Sequence, residues 1–184
     1  RLLVTDGSLV RARVDVRPYG DEDHDWWIVC DATPGLGRPA GPMDPEHVLG
    51  ISEASSSLAQ LVVRDEVGSA LDLGTGCGVQ ALHLAQHARR VVATDVNPRA
   101  LAMARLTAEL NGVEVEVRDG SLYEPVAEQR FDLIATNPPF VVSPPEGDRL
   151  VYRETSLPLD DVVRQVVTGA ADHLNPGGRC HVLG

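Results

Sequence analysis

Asn137-Pro138-Pro139-Phe140 is the segment of the sequence whose residue types most directly suggest chemistry. It follows an apolar run at residues 131–135, which is typical of a buried strand. The two prolines fix φ and remove two backbone donors, so the turn is stiff and its carbonyls point outward. The amide oxygen of Asn137 and the carbonyl of Pro138 can accept both hydrogens of one NH₂ group, and Phe140 can stack on the flat group that carries it.

A planar nitrogen of this kind is a poor nucleophile, because its lone pair is delocalised into the attached π system. Two acceptors that hold its hydrogens favour a pyramidal geometry and stabilise the positive charge that develops during attack. We therefore predict that Asn137, Pro138, Pro139 and Phe140 form the catalytic segment, with no strong base required. The structural alternative is a proline-rich turn with a phenylalanine packed into the core.

Three glycines at alternating positions, Gly74, Gly76 and Gly78, lie where an apolar run turns into a helical pattern. Without Cβ atoms they let a ligand lie against backbone N–H groups, although a tight turn without a ligand is the alternative. Asp95 ends the next predicted strand, where a carboxylate can accept hydrogen bonds from a ribose diol. A dinucleotide fingerprint would need glycine or alanine at the position of Val79, so the pattern favours S-adenosylmethionine over a nicotinamide cofactor.

The stretch from Asp72 to Gly78 and the Asn-Pro-Pro-Phe turn resemble motifs of the class I S-adenosylmethionine-dependent methyltransferases. The resemblance covers about residues 54–184. It narrows to enzymes with Asn-Pro-Pro-Tyr/Phe, which include release-factor glutamine methyltransferases, RNA guanine N2 methyltransferases and adenine N6 methyltransferases of RNA or DNA. It implies a Rossmann-like core with a mostly parallel sheet, and S-adenosyl-L-methionine as the cofactor.

The resemblance also implies which residues contact the cofactor. In that family the acidic residue at the position of Asp72 approaches the methionine end, and the one at the position of Asp95 holds the ribose. Asp119 matches the position that contacts the adenine amino group, with a solvated loop as the alternative. The predicted cofactor-binding residues are Asp72, Gly74, Thr75, Gly76, Cys77, Gly78, Asp95, Val96, Asp119, Gly120, Ser121 and Asn137.

Predicted strands and helices alternate from residue 54 onward, which favours an α/β fold with a parallel sheet wrapped by helices. Asn97-Pro98 supplies an N-cap and a proline at the first helical position, for a helix that ends near Asn111-Gly112. The other predicted helices lie at about residues 54–66, 79–87 and 160–174. The predicted strands lie at residues 70–73, 91–94, 113–117, 131–135 and 179–183.

Residues 1–49 predict a small antiparallel β domain and a linker, ahead of a core at residues 50–184. The β-prone runs lie at residues 2–5, 8–17 and 26–31, with a hairpin turn at Asp6-Gly7 and a Gly- and Pro-rich linker at 34–45. We expect this region to make no cofactor contacts. The resembling families continue into two further strands, so we also expect the core to be truncated before the last strands of its fold.

Composition limits the classes of function. The chain has 184 residues and a formal net charge of −11, and its 16 basic residues are all arginine. An acidic protein repels phosphate backbones unless its arginines cluster, which counts against a large nucleic-acid footprint. No apolar run approaches the roughly 18 residues that a membrane span needs, so we predict a cytoplasmic protein without membrane contact.

The cysteines and histidines do not predict a metal site. Cys30, Cys77 and Cys180 form no closely spaced pair, which indicates reduced, buried thiols rather than a disulfide framework or a zinc site. His83 and His87 are four residues apart and could place two ligands on one helix face. No carboxylate follows them in a metalloprotease pattern, so we predict a solvated helix face and no metal.

These observations favour an N-methyltransferase that acts on a planar exocyclic or amide nitrogen. A base in RNA is the favoured substrate, because phenylalanine at position 140 resembles the form found in several RNA adenine N6 enzymes. Glutamine in a protein such as a release factor is the runner-up and fits the acidic charge. A non-catalytic cofactor-binding scaffold and a nicotinamide oxidoreductase are disfavoured by the intact Asn137 and by Val79, respectively.

Overall fold

The first part of the chain forms two β-hairpins. The computed structural model describes residues 3–21, 23–32, 44–138 and 159–183. The four strands of the hairpins pair antiparallel as two separate two-stranded sheets: β1 (Leu3–Asp6) with β2 (Leu9–Ala12), and β3 (Val14–Gly20) with β4 (Asp25–Asp31). Gly7 has a φ of 59°, which confirms the hairpin turn predicted at Asp6-Gly7.

The β-prone run predicted at residues 8–17 belongs to two different strands, β2 and β3. The chain bends at Arg13, so β2 pairs backward with β1 while β3 pairs forward with β4. Alternating apolar residues indicate an extended backbone but do not identify the neighbour that receives its hydrogen bonds. Residues 34–43 of the predicted linker lie outside the described residues.

The rest of the described chain is a five-stranded parallel sheet with helices. The helices are α1 (Glu53–Leu61), α2 (Val79–Leu84), α3 (Pro98–Leu110) and α4 (Leu159–His173). The strands are β5 (Ala70–Leu73), β6 (Val91–Asp95), β7 (Glu116–Asp119), β8 (Phe131–Thr136) and β9 (Leu174–Val182). The strand order is β7-β6-β5-β8-β9, and every neighbouring pair is parallel. This confirms the predicted α/β fold.

The strand order creates a crevice at one edge of the sheet. All four residues of β5 are buried, as expected for a central parallel strand that is covered on both faces. From β5 the chain passes to β6 and β7 on one side, and then returns to β8 and β9 on the other. Ligands of such sheets bind beyond the carboxyl ends of the strands where the order reverses, here at β5 and β8.

Two predicted helices end earlier in the structure than in the sequence pattern. α1 ends at Leu61 rather than at residue 66, and α2 ends at Leu84 rather than at residue 87. The residues that follow them pair with each other instead, since Val67 N donates to His87 O over 2.9 Å and forms a parallel bridge with Ala88. The strands predicted at residues 113–117 and 179–183 also have different bounds in the structure, Glu116–Asp119 (β7) and Leu174–Val182 (β9).

The edge of β4 that does not pair with β3 lies against helix α3. Thr107 Oγ1 accepts a hydrogen bond from Val29 N over 3.1 Å. One turn later, Asn111 Oδ1 accepts from Trp27 N and Asn111 Nδ2 donates to Trp27 O, both over 2.8 Å. Thr107 of α3 and Asn111, its C-cap, are four residues apart and lie on the same side of the helix. Their side chains bond to the backbone groups of β4 that would otherwise be free to pair with a further strand.

The β3–β4 hairpin shares its hydrophobic core with the α/β region. Trp26, Ile28, Val29 and Cys30 of β4 form one cluster of buried residues with side chains from the core, namely Cys77, Val79, Leu82, Ala100 and Met103. No described side chain of β1 or β2 belongs to this cluster or to the other two hydrophobic clusters. The predicted division of the chain at residues 49 and 50 stays a prediction.

Candidate active site

A cavity of about 630 Å³ lies at the carboxyl ends of the central strands. Most of its lining comes from six stretches of the chain: residues 47–50, the start of α1, residues 72–77, residues 94–97, residues 120–122 and residues 136–138. The glycine-rich segment, Asp95 and Asn137 were predicted as parts of one site, and the structure brings them together in this one cavity.

The glycine-rich loop adopts a backbone that favours glycine. Gly74, Gly76 and Gly78 have φ values of 77°, 56° and 89°, in the left-handed region. A Cβ at Gly74 or Gly76 would meet no protein atom within 4 Å, whereas a Cβ at Gly78 would lie 3.2 Å from Ala104 Cα. The first two glycines therefore leave space for a ligand, and the third allows α2 to approach α3.

The Asp95 carboxylate is held by two backbone N–H groups. Asp95 Oδ2 accepts from Gly76 N and Asp95 Oδ1 accepts from Asn97 N, each over 2.9 Å. Burial raises the pKa of this carboxyl, although both hydrogen bonds lower it. Each carboxylate oxygen can accept a further hydrogen bond, so the side chain is oriented before any ligand arrives.

Asp72 is buried beneath the loop. Thr75 Oγ1 donates to Asp72 Oδ2 over 2.6 Å. Burial raises the pKa of Asp72 from 3.8 to about 7, and the nearby Asp95 carboxylate adds to the rise, while the Thr75 hydrogen bond opposes it. A positively charged ligand group beside Asp72 would favour its ionised form.

Asn137 follows β8 and lies in the cavity wall with Pro138. The strand end is fixed, because Thr136 Oγ1 donates to Leu73 O of β5 over 2.8 Å. Asn137 Oδ1 is buried, and no group of the described residues donates a hydrogen bond to it. Buried acceptors are rarely left unpaired, and the predicted contact of this oxygen with a ligand N–H stays a prediction. Pro139 and Phe140 lie outside the described residues.

The remaining predicted cofactor residues divide into two groups. Cys77, Val96, Gly120 and Ser121 line the cavity. Val96 is 51% exposed, so its apolar surface is available to a ligand. Asp119 is exposed and lies next to the lining rather than within it, so its predicted adenine contact stays a prediction.

The structure adds lining residues that the sequence did not reveal. His47, Val48, Leu49 and Gly50 form part of the cavity wall. The first three belong to the region that was expected to make no cofactor contacts, and that expectation stays a prediction. Tertiary contacts bring this segment to the cavity, and no residue type in it signals a site.

Two further lining residues come from positions without a recognisable motif. Leu122 has a φ of 47°, a backbone strain that residue types alone do not reveal. Gln80 is buried, and its Nε2 donates to Ser55 O over 2.6 Å.

The prediction of a solvated face at His83 and His87 is wrong, because both side chains are buried. His83 Nε2 lies 2.8 Å from Tyr19 Oη, and burial lowers its pKa to about 4. His87 lies beyond the end of α2, with its Nδ1 atom 3.1 Å from Asp65 O. The ranges that the structure describes contain no group of three or more His, Cys, Asp or Glu side chains that could hold a metal ion.

Two other predictions concern thiols and membrane spans. Cys30, Cys77 and Cys180 are free, and the first two are buried, while Cys180 is partly buried. Among the described residues, no helix has the length and apolar character that crossing a membrane requires.

Comparison with protein families assigns the chain to one of them. The model of the methyltransferase small domain matches residues 49–183, which is most of the chain. The chain belongs to the methyltransferase small domain family. The matched range contains the glycine-rich loop, Asp95 and Asn137.

Curated relatives of this family member include enzymes with different substrates. The chain is 39% identical over 123 residues to the release factor glutamine methyltransferase of Geobacter sulfurreducens, covering 59% of this chain and 42% of that protein. It is 35% identical over 136 residues to the ribosomal RNA small subunit methyltransferase C of Citrobacter koseri, covering 73% of this chain and 36% of that protein. The chain thus spans less than half the length of either relative.

A solved structure shares the fold over nearly the whole chain. It is the T. thermophilus 16S rRNA N2 G1207 methyltransferase in complex with AdoMet and guanosine, with a TM-score of 0.68 and 23% sequence identity. The likeness covers 97% of this chain and 44% of that one. It confirms the predicted Rossmann-like methyltransferase fold with its antiparallel β region.

Proposed function

We propose that this chain is the cofactor-binding and catalytic part of an S-adenosylmethionine-dependent methyltransferase that acts on a planar exocyclic nitrogen of a base in RNA. The observation that carries the proposal is the buried Asn137 Oδ1, which has no donor among the described residues and lies in the same cavity as the glycine-rich loop and Asp95. Membership of the methyltransferase small domain family supports it.

The lining of the cavity fits S-adenosylmethionine. Asp95 has a fixed orientation and free lone pairs for the ribose hydroxyls. The buried carboxyl of Asp72 suits the cationic methionine end, and the exposed apolar surface of Val96 suits one face of adenine. Gly74 and Gly76 leave open space beside their backbone N–H groups.

When bound, the cofactor supplies a methyl group that its sulfonium already activates. The chain then has to align and polarise the attacking nitrogen. Asn137 Oδ1 and the carbonyl of Pro138 accept the two hydrogens of the substrate NH₂. This contact strengthens as positive charge develops on nitrogen, so it stabilises the transition state more than the bound substrate. Asn137 is neutral and does not act as a base, so the cofactor leaves as a thioether and the methylated nitrogen loses its extra proton to solvent.

RNA is favoured over a protein as substrate because of the extent of the sequence matches. The match to the ribosomal RNA methyltransferase covers 73% of the chain, whereas the match to the release factor methyltransferase covers 59%. Glutamine N5 methylation of a protein is the second candidate, supported by the 39% identity of that match and by the net charge of −11. Both substrates present a planar nitrogen to the same pair of acceptors.

The proposal is tested by incubating the full-length protein with labelled S-adenosylmethionine and separate pools of RNA and protein from cells that lack the gene. Label in RNA digests at N6-methyladenosine or N2-methylguanosine is the expected result. Label in protein at N5-methylglutamine supports the second candidate. Label found only on oxygen or carbon contradicts the role of Asn137.

Cofactor choice is tested separately by calorimetric titration with S-adenosylhomocysteine and NAD. We expect binding of S-adenosylhomocysteine and none of NAD. Tight binding of NAD without binding of S-adenosylhomocysteine overturns the proposed cofactor.

A further inference from the structure

Residues 46–50, here called the wall segment, form one side of the cavity although they precede the α/β core. Four of them, His47 to Gly50, line the cavity. The segment connects the β3–β4 hairpin to α1 and has no helix or strand of its own. Its position therefore depends on contacts with other elements.

Two elements hold the wall segment by hydrogen bonds. Asp31, the last residue of β4, donates from its backbone N to Val48 O over 3.0 Å, and its Oδ2 accepts from Val48 N over 2.9 Å. Asn97, the N-cap of α3, donates from Nδ2 to Glu46 O over 2.9 Å. At the other end, a Cβ added to Gly50 would lie 2.7 Å from Cys30 Sγ, so the backbone passes directly over that thiol.

The carboxylate of Asp31 extends the connection to helix α3. Asp31 Oδ2 accepts from Arg99 Nε over 2.8 Å, and Asp31 Oδ1 accepts a second hydrogen bond from the same guanidinium. Asp31 is only 8% exposed, and a buried bidentate pair of this kind has a fixed geometry. Asn97 and Arg99 both stand at the start of α3, just after Asp95. The wall segment is therefore tied to the same stretch of chain that presents the Asp95 carboxylate.

We propose that Asp31 is a positioning residue for the cofactor site: its carboxylate ties the wall segment to α3 through Arg99 and keeps that wall in place beside Asp95. This inference rests on the proposed function, in which the cavity binds S-adenosylmethionine. In this proposal the β3–β4 hairpin maintains the geometry of the site, although neither of its strands lines the cavity.

Three variants of the full chain separate positioning from stability. Asp31→Asn keeps an oxygen that can accept from Val48 but leaves the Arg99 charge unpaired. Arg99→Met removes the connection to α3 and leaves His47, whose Nδ1 lies 3.9 Å from Asp31 Oδ2, as the remaining ionisable neighbour of the Asp31 carboxylate. The double variant Asp31→Asn/Arg99→Met has no unpaired charge in the pair and still lacks the connection. Arg90→Met is the matched control, because it breaks an exposed ion pair with Glu116 on residues outside the cavity lining.

Three measurements are made on each variant: the affinity for S-adenosylhomocysteine, the Tm, and the rate at which iodoacetamide alkylates Cys30, located by peptide mass spectrometry. We expect both single variants to bind S-adenosylhomocysteine about tenfold more weakly than the wild-type protein. We expect the double variant to recover the Tm that the single variants lose, but not their lost affinity for S-adenosylhomocysteine. Cys30 reacts faster in all three variants and at the wild-type rate in Arg90→Met.

Recovery of both Tm and affinity in the double variant would show that Asp31 acts only through stability. Folded single variants with wild-type affinity and wild-type Cys30 reactivity would equally overturn the proposal. Cys30 reactivity needs no ligand, so it tests the position of the wall even if the wild-type protein fails to bind S-adenosylhomocysteine. That last failure would count against the proposed function rather than against the positioning role.

Discussion

The two sides of the cavity differ in how their polar groups are satisfied. On the side of the glycine-rich loop, Asp72 accepts a hydrogen bond from Thr75, and Asp95 accepts from two backbone N–H groups. On the other side, Asn137 Oδ1 is buried without a donor among the described residues. The protein itself therefore orients the two carboxylates, whereas Asn137 Oδ1, like Gln80 Oε1 on α2, is a buried acceptor without a donor among the described residues. In the proposed function, the partner of Asn137 Oδ1 is the substrate.

This difference assigns separate tasks to the two sides. A preoriented site binds without the cost of ordering its own side chains, which suits a cofactor that must bind in every turnover. A buried acceptor without a donor costs about 1–3 kcal/mol, and the protein recovers this when a ligand N–H arrives. Changes on the loop side should therefore alter cofactor affinity, and changes at Asn137 should alter the rate of methyl transfer.

The largest expected effect is that of Asn137→Ala on catalysis. Methyl transfer should fall by about a hundredfold or more, as when one donor is removed from an oxyanion hole, because the lost contact forms mainly in the transition state. The affinity for S-adenosylhomocysteine should stay within a few fold. Single-turnover transfer and calorimetry measure the two quantities.

Asn175→Ala is the matched control for Asn137→Ala. Asn175 Nδ2 donates to Asp132 Oδ1 over 2.8 Å, outside the cavity lining, so its loss should leave transfer unchanged. Equal losses of cofactor affinity and of transfer in Asn137→Ala would remove the distinction between the two sides.

Asp95→Ala should have the next largest effect, on the loop side. We expect cofactor affinity to weaken by about 1–3 kcal/mol, because ribose hydroxyls and the N–H groups of Gly76 and Asn97 all lose their acceptor. Calorimetric titration with S-adenosylhomocysteine measures the change. Asp132→Ala serves as the control, since Asp132 accepts from Ser69 N in a similar way outside the cavity lining. Unchanged affinity in a folded Asp95→Ala protein would place the ribose elsewhere.

A smaller effect should follow from Gly76→Ala, for which Gly112→Ala is a close control. Both glycines have positive φ, 56° and 64°, and a Cβ would meet no protein atom within 4 Å at either. Each change should destabilise the fold by about 1 kcal/mol through backbone strain. Only Gly76→Ala should also weaken cofactor binding, by about tenfold, because its Cβ enters the space beside the loop. Tm and calorimetry distinguish the two effects.

The smallest expected change in cofactor affinity comes from the pH dependence that Asp72 confers. Its pKa is raised from 3.8 to about 7 in the folded protein, so the folded state keeps a proton that the unfolded state has lost. Stability should therefore fall as pH rises from about 4 to about 7 and stay lower above that. Cofactor affinity should rise severalfold between about pH 6 and pH 8, because an ammonium group favours the ionised carboxyl.

Asp72→Asn isolates this pH dependence from that of Asp95, whose pKa is also raised by burial. Both trends, in stability and in affinity, should flatten in the variant. If the affinity of the wild-type protein is independent of pH while Asp72→Asn weakens it, the contact at Asp72 does not depend on the charge of the carboxyl.

Short-range patterns predicted the parts of the site that lie on strand ends. Gly74, Gly76 and Asp95 were identifiable because a parallel sheet places the loops after successive strands at the same edge. Asn137 was identifiable for the same reason.

The wall segment could not be predicted, because it depends on pairs that are distant in sequence. Asp31 meets Arg99, and Glu46 meets Asn97, through contacts that no local pattern encodes. The same limit applies to His83, which four-residue spacing placed on a solvated face but which packs beneath Tyr19 and Trp26. The N-terminal region was read as one appendage for this reason, although only β3–β4 packs into a described hydrophobic cluster.

The bonds between α3 and β4 also bear on aggregation. A two-stranded sheet offers two edges to which strands of other molecules can add. The β4 edge is closed by Thr107 and Asn111. Both backbone groups of Trp27 bond to Asn111 and therefore point away from β3. In the antiparallel pair, the backbone groups of the opposite residue, Pro18, point away from β4, and proline has no N–H to donate to an incoming strand. The β4 edge of this hairpin is therefore closed to strand addition between molecules, and the β3 edge lacks the donor at Pro18.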